Sequence, residues 1–547
     1  MSVRRKRSLL WYAAVFFTLA VVLGLVCVSD TISADAAGDN TADFRLIFTT
    51  DIHGQLTTYN YEQGTEYTGG FSRLYTVIEE ARLEAGEGNY LTFDLGDVLY
   101  DVTTEYIISQ DPEVLQPIYQ AMAMIGYDAI TLGNHDFDYG YDYIMNQLHA
   151  SGLIEKTVVS NVTDSRTGEH PFGENMIITR TLTSESGREA VLRIGIIGET
   201  IPKLSSKTES YTGILKTEDI VANVTAQAAK LKEEGADIVV VLSHSGFGPE
   251  DPEENYKNVS YALTKIEDVD VILCGHEHNT FPEENATTSY YDLPGVDKET
   301  GLVNGKLIIM ANNRARSIGI ADLTFTIEED GSVTLTGQRS EVRKVSSSDP
   351  ENELIAGLYG DWEADLKAYC EDIIAEVNEK DTIQNYFGLL EDTAAIQLIN
   401  DAKKSYAMNY IHTTKQEYED LPIIAVSAYK SYGADGAEDY VEISGQITEA
   451  GLGSLQSYNT YVNIYKITGR QLKEWLEWPA SAYEEINGEG SWTSEEMLAL
   501  MDSTGLKPLI KQEWMEVWSN FFIFDGIDYT INPSISARYD LAGNRIN

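Results

Sequence analysis

The chain has 547 residues, room for roughly three to five domains at about 100–200 residues each. Its 43% hydrophobic and 23% charged content is that of a globular protein, not a disordered or fibrous one. With 39 basic against 87 acidic residues the formal net charge is −48, a field that repels nucleic acid and anionic membrane and excludes a nucleic acid duplex held on a basic surface.

In chain order, the first feature is a basic head, Arg4, Arg5, Lys6 and Arg7, followed by an apolar run from Leu9 to Val28 and then by Ala34-Asp35-Ala36. This pattern predicts a signal peptide over residues 1–36, with an uncleaved membrane anchor as the alternative. Either reading makes the protein exported, secreted or held at the cell surface, with membrane contact confined to this segment. Bulky Val26 ahead of Cys27 disfavours lipidation there. The other cysteines, Cys274 and Cys370, are too few for a disulfide framework.

From about residue 42 to 345, short apolar runs alternate with helical patterns. Phe44–Thr49, Tyr90–Leu95, Ala129–Leu132, Ile194–Ile197, Ile238–Leu242, Val271–Cys274 and Lys306–Met310 read as strands. Ser72–Ala85, Glu113–Ile125 and Ile220–Glu234 read as helices. Such alternation predicts a layered α/β domain. Residues 319–337 read as a hairpin turning at Asp330-Gly331. Ser346–Pro350 marks a boundary, residues 346–380 read as a helical linker, and residues 381–547 read as a second domain.

Polar clusters follow five of these strands directly: Asp51-Ile52-His53, Gly96-Asp97, Gly133-Asn134-His135-Asp136, Ser243-His244, and Gly275-His276-Glu277-His278. A rigid strand fixes the backbone, and the loop leaving it carries the chemistry. Five of the eight histidines fall in these clusters. Carboxylate, imidazole and amide oxygen without thiolate suit Mn, Zn, Fe or Co. No phosphate-cradling GxxxxGK loop and no GxSxG elbow occurs, which weighs against a P-loop ATPase and a serine hydrolase. His149, His170 and His412 read as structural or surface residues.

The ordered clusters resemble the calcineurin-like metallophosphoesterases. FTTDIHGQL, FDLGD and LGNHDFDYG are similar, more narrowly, to the 5′-nucleotidase family, closest to its 2′,3′-cyclic-nucleotide 2′-phosphodiesterase/3′-nucleotidase branch. The resemblance implies a four-layer α/β/β/α metallophosphoesterase domain holding two divalent metal ions. It implies that Asp51, His53 and His278 hold one metal, that Asn134, His244 and His276 hold the other, and that Asp97 bridges them. It further implies that His135 serves the leaving-group oxygen and that Asp138 orients His135.

In the second region, Glu391-Asp392-Thr393 with AAIQLINDAKK, Val462–Glu477, Asn520–Ile531 and Ala537–Asp540 resemble the smaller α/β C-terminal substrate-binding domain of the same branch. Tyr458 falls where the first of two base-stacking aromatics is expected, just ahead of a KITG-like strand. The family's asparagine aligns with Thr460, the expected arginine loop reads Ser431–Asp439 without arginine, and the family's domain continues beyond the point where this chain stops. The C-terminal domain is therefore expected to be truncated. The activity implied is metal-dependent hydrolysis of 2′,3′-cyclic nucleotides and 3′-nucleotides. A 5′-nucleotidase or nucleotide-sugar hydrolase is one alternative, and a weakly active surface nucleotide-binding module is another.

Overall fold

The computed structural model describes residues 40–61, 64–202, 214–284, 289–378, 392–428, 440–455, 462–485 and 521–541, with 204, 381–386, 388, 510, 511, 514 and 543–547. The leader over residues 1–36, Tyr458, Thr460 and the Ser431–Asp439 loop lie outside the described residues.

Two sheets dominate the first domain. Their strands, in chain order, are β1 (Thr41–Thr49), β2 (Tyr90–Asp94), β3 (Ala129–Ile130), β4 (Met176–Thr183), β5 (Glu189–Thr200) and β6 (Ile238–His244). They continue with β7 (Val271–Cys274), β8 (Thr280–Phe281), β9 (Leu302–Val303), β10 (Lys306–Ala311), β11 (Ser317–Ile327) and β12 (Val333–Lys344). One sheet has the order β12-β11-β1-β2-β3; the other runs β8-β10-β7-β6-β5-β4, with β9 beside β10. The helices used below are α1 (Phe71–Ala85), α2 (Val102–Gln110), α3 (Pro117–Ile125), α4 (Tyr141–Ser151), α5 (Ile220–Glu233), α6 (Trp362–Cys370) and α7 (Ala394–Thr414).

Period-two alternation assigns each strand residue to a layer. Phe44, Leu46 and Phe48 of β1 join Leu192, Ile194 and Ile196 of β5, and Val240 and Leu242 of β6, in a dry core between the sheets. Ile47 of β1 faces the other way, into a cluster with Leu74, Val77 and Ile78 of α1 and with Tyr119 and Met122 of α3. Val239 and Val241 of β6 face Ile220, Val224, Ala228 and Leu231 of α5. The result is the four-layer α/β/β/α sandwich. The spacing Phe71, Leu74, Val77, Ile78, Ala81 buries one face of α1, and Asp219 starts α5 by accepting from the Ala222 amide at 2.9 Å. Cys274 and Cys370 are both buried.

Three elements differ from their sequence reading. The helix read over Glu113–Ile125 begins only at Pro117, which opens α3, and a separate helix, α2, capped by Asp101 through the Thr104 amide, precedes it where none was read. Residues 346–380 are not helical throughout: α6 ends at Cys370, and Ile373–Glu376 becomes a strand paired with Gln446–Thr448. Residues 462–468 form neither helix nor strand, although a strand was expected ahead of the helix Gly469–Glu477. The C-terminal region packs α7 on short two-stranded ladders, including Thr382–Gln384 with Glu442–Ser444 and Ala425–Ser427 with Ile523–Asp525, around Ile396, Ile443, Trp514 and Ile523. Among the described residues no helix is long and apolar enough to cross a membrane.

Candidate metal centre

All five polar clusters converge at one end of the sandwich. Asp51 and His53 leave β1, Asp97 leaves β2, and Asn134 and His135 follow β3. His244 ends β6, and His276 and His278 leave β7. The exits are sharp: Asp51, His53, Asp97, His276 and His278 all have φ between +46° and +73°, a region that non-glycine residues avoid unless the surroundings impose it. The imposition is visible. The amides of Asp51, His53 and Gly54 donate to the carbonyls of Gly96, Asp97 and Val98 at 2.8–3.0 Å, which zips the β1 and β2 loops together. Gly133 must be glycine: a Cβ there would lie 2.1 Å from Asp97 Oδ1 and 2.4 Å from His244 Cε1.

Two groups of metal-ligating atoms result, Asp51 with His53 and His278, and Asp97 with His244 and His276. Within each group the atoms lie within 4.8 Å of one another. His53 Nε2 stands 3.0 Å from His278 Nε2, and His278 Nε2 stands 3.3 Å from Asp51 Oδ1. His244 Nε2 stands 3.1 Å from Asp97 Oδ2. The tautomers follow from the opposite ring nitrogens. His53 Nδ1 meets the Leu99 carbonyl at 3.2 Å, and His244 Nδ1 meets the Leu95 carbonyl at 2.7 Å. Carbonyls only accept, so each Nδ1 donates and each Nε2 turns a lone pair toward its group, the arrangement that orients metal-binding imidazoles. Asn134 Oδ1 is buried and has no hydrogen-bond partner among the described residues. Converging lone pairs, two buried carboxylates and an orphaned amide oxygen fit a pair of divalent cations.

The electrostatics agree. Burial and the neighbouring His278 push the His53 imidazole down to about 3, and burial with His244 holds His276 well below its ordinary range. Both are neutral and able to coordinate. Burial opposes charge on Asp97 and His244 alike. Their mutual contact overrides it, holding the carboxyl well below the usual range and raising the imidazole to about 10, so His244 Nε2 facing Asp97 alone keeps a proton, which a cation bound there would displace to take the lone pair.

His135 Nδ1 lies 2.7 Å from Asp138 Oδ2, and both residues sit beside the first group, the His135 ring 5.5 Å from that of His53. Burial lowers the His135 pKa, but Asp97 and Asp138 outweigh it and raise it. The structure thus brings together the site residues named from sequence that lie among the described residues; Tyr458 lies outside them.

Three site residues escaped the sequence reading. Asp136, given no role there, is buried and accepts from the amides of Asp97 at 2.8 Å, Gly133 at 2.9 Å and Val98 at 3.1 Å. Its place inside the same tetrad was the available signal. Glu277 accepts from the Phe247 amide at 2.8 Å and from Asn258 Nδ2 at 2.6 Å, so it braces the loop between His276 and His278. Tyr100 stacks on His135. Glu277, inside the fifth cluster, carried the same signal, whereas no sequence signal marks Tyr100. Nearby, a cleft of about 830 Å³ separates the two domains, lined by Tyr67, Asn312, Arg316, Lys344, Tyr440 and Glu442 among others. The Asn312 amide donates to Asn279, next to His278, so the cleft opens beside the centre.

Comparison with known proteins agrees with this geometry. Residues 44–280 match the calcineurin-like phosphoesterase family, and residues 374–547 match the 5′-nucleotidase C-terminal domain. The chain is 26% identical over 540 residues to the trifunctional nucleotide phosphoesterase protein YfkN of Bacillus subtilis, covering 96% of this chain and 35% of that one. It is 28% identical over 523 residues to the 2′,3′-cyclic-nucleotide 2′-phosphodiesterase/3′-nucleotidase of Salmonella typhimurium, covering 93% of this chain and 77% of that one. A solved putative 5′-nucleotidase from Staphylococcus aureus superposes with a TM-score of 0.61 at 18% identity, over 88% of this chain and 82% of that one. The chain therefore spans about a third of the first relative and about three quarters of the second. Residues 44–280 are thus a calcineurin-like phosphoesterase region, and residues 374–547 a 5′-nucleotidase C-terminal domain.

Proposed function

We propose that this protein is an exported, metal-dependent phosphoesterase that hydrolyses nucleotides, with 2′,3′-cyclic nucleotides and 3′-nucleotides as its substrates. The observation that carries the reading is the meeting of two lone-pair triads with the orphaned Asn134 oxygen. In this reading Asp51, His53 and His278 would hold one divalent ion, Asn134, His244 and His276 would hold a second, and Asp97 would serve both. When bound, the ions supply Lewis acidity toward a phosphoryl oxygen and lower the pKa of water.

The chain's own residues do the rest. Asp138 fixes the His135 imidazole through Nδ1, leaving Nε2 to hold the proton that passes to the departing alkoxide. The positive φ angles of Asp51, Asp97, His276 and His278 keep the ligand side chains preorganised, so no reorganisation accompanies the reaction. Water adds across one P–O bond: its oxygen goes to phosphorus, and the leaving oxygen departs with a proton. The nucleoside part of the substrate lies in the interdomain cleft, and Tyr458 is the residue expected from sequence to stack on its base. The relatives named 5′-nucleotidase support a second reading, 5′-nucleotides as substrates, with nucleotide sugars the alternative beside it.

Folded protein loaded with Mn²⁺ is expected to hydrolyse bis-p-nitrophenyl phosphate, and absence of turnover refutes the reading. Rates on cyclic 2′,3′-AMP and 3′-AMP are expected to exceed those on 5′-AMP and a UDP-sugar; the reverse order selects the second reading.

A further inference from the structure

Tyr100 has a backbone φ of +100° without being glycine, so something other than its own preference holds it there. The residues on either side supply the constraint. Upstream, the Val98 amide donates to Asp136 Oδ1 at 3.1 Å. Downstream, Asp101 accepts from the Thr104 amide at 2.9 Å and from the Thr104 hydroxyl at 2.6 Å, pinning the start of α2. Between these anchors the Tyr100 side chain does not enter an apolar core. Its ring stacks on the His135 imidazole, with centroids 4.3 Å apart and planes 29° apart, and meets the His53 ring edge-on at 6.3 Å. The residue is 9% exposed, so water does not compete for the contact.

An imidazole on a single bond can swing and can tilt. The Asp138 contact at Nδ1 restrains the first motion, and a ring lying over its face restrains the second. We propose that Tyr100 is a positioning residue for His135: its strained backbone presses the phenol ring onto the imidazole and holds it in the orientation that serves the leaving-group oxygen. The proposal rests on the role given to His135 above. A glycine would relieve the backbone strain, so the tyrosine is retained for its ring.

The test compares two leaving groups. p-Nitrophenolate departs without a proton, whereas the nucleoside of 3′-AMP needs one. Tyr100→Ala is expected to lower kcat on 3′-AMP by roughly 10–100-fold, with KM and the rate on p-nitrophenyl phosphate changed less than about threefold. Tyr100→Phe, which keeps the stack, is expected to restore the 3′-AMP rate. In a His135→Ala background, Tyr100→Ala is expected to cost nothing further. Calorimetric Mn²⁺ binding is expected to match the parent protein, since the ring is no ligand. Equal losses on both substrates, a further loss in the His135→Ala background, or weakened Mn²⁺ binding overturns the proposal. If His135→Ala itself lowers both substrates equally, the reading of His135 falls and this proposal falls with it. Tyr100→Gly, free of the backbone strain, carries the same expectations should the alanine variant fail to fold.

Discussion

Asp136→Asn is the most searching substitution in the centre, because Asp136 touches none of the proposed ligands' side chains. Asp136 Oδ2 accepts from the Asp97 and Gly133 amides at 2.8 and 2.9 Å, and Oδ1 accepts from Val98 at 3.1 Å and Leu99 at 3.4 Å. Burial, with Asp97 adding, raises its carboxyl to about 6, so it is ionised at neutral pH. Asparagine keeps one acceptor oxygen and turns the other into a donor. The best arrangement preserves the Asp97 and Gly133 contacts and sets an NH₂ against the amides of Val98 and Leu99. A buried hydrogen bond to a charged acceptor is worth about 1.5–3 kcal/mol, and leaving its donor unmatched adds to the loss. Set against relief from burying a charge, the net cost is about 2–4 kcal/mol. For a domain of roughly 300 residues this lowers Tm by about 3–6 °C. Because the loops of Asp97 and Asn134 loosen together, Mn²⁺ affinity is expected to fall about tenfold or more, within the range for residues that support metal ligands. Differential scanning calorimetry and titration calorimetry read the two effects. A Tm within a degree of the parent, with unchanged Mn²⁺ affinity, refutes the claim that this carboxylate ties the two loops.

The remaining predictions concern charge and metal. Burial raises the Glu199 carboxyl from 4.5 to about 7, while Ser243 and His244 pull it back. Its folded pKa exceeds its unfolded one, so the stability it contributes is fullest below pH 4.5 and is lost as pH rises through about 7. Glu199→Gln is therefore expected to raise stability at pH 8 by up to about 3 kcal/mol and to change little at pH 4.5; a Tm difference independent of pH refutes this. Asp138→Asn is expected to lower kcat on 3′-AMP at least about tenfold with little change in KM, and equal loss on p-nitrophenyl phosphate counts against its role. Chelation is expected to abolish turnover and, for ions held at 100 times their Kd, to remove about 2.7 kcal/mol of stability per ion; an unshifted melting curve contradicts the metal centre.

The proposed ligand residues were legible because their chemistry is restricted. Only a few side chain types coordinate such ions, and strand ends are where a sheet presents them, so Asp51, Asp97 and His244 stood out behind apolar runs. Asp136, Glu277 and Tyr100 did not stand out, since their partners are backbone amides or ring faces brought close only by tertiary structure. The long central strands could be read from their hydrophobic continuity. The ladder Ile373–Glu376 could not: all four residues are exposed, so no alternation marks them, and the charged surroundings read as helix. Short strands such as Glu442–Ser444 owe their pairing to distant partners and not to local pattern.

The order of strands in the first sheet has a consequence for biosynthesis. β1 lies between β2, made soon after it, and β11, made some 270 residues later, once every strand of the other sheet has been translated. The carboxylates at residues 51 and 97 and the amide at 134 emerge early, and the histidines at 244, 276 and 278 emerge late. A nascent chain thus carries an acidic half-site with one early imidazole, poor at holding the ions. Chemical competence arrives only as the sandwich closes, so hydrolytic power is withheld from the growing polypeptide until the fold that confines it is nearly complete.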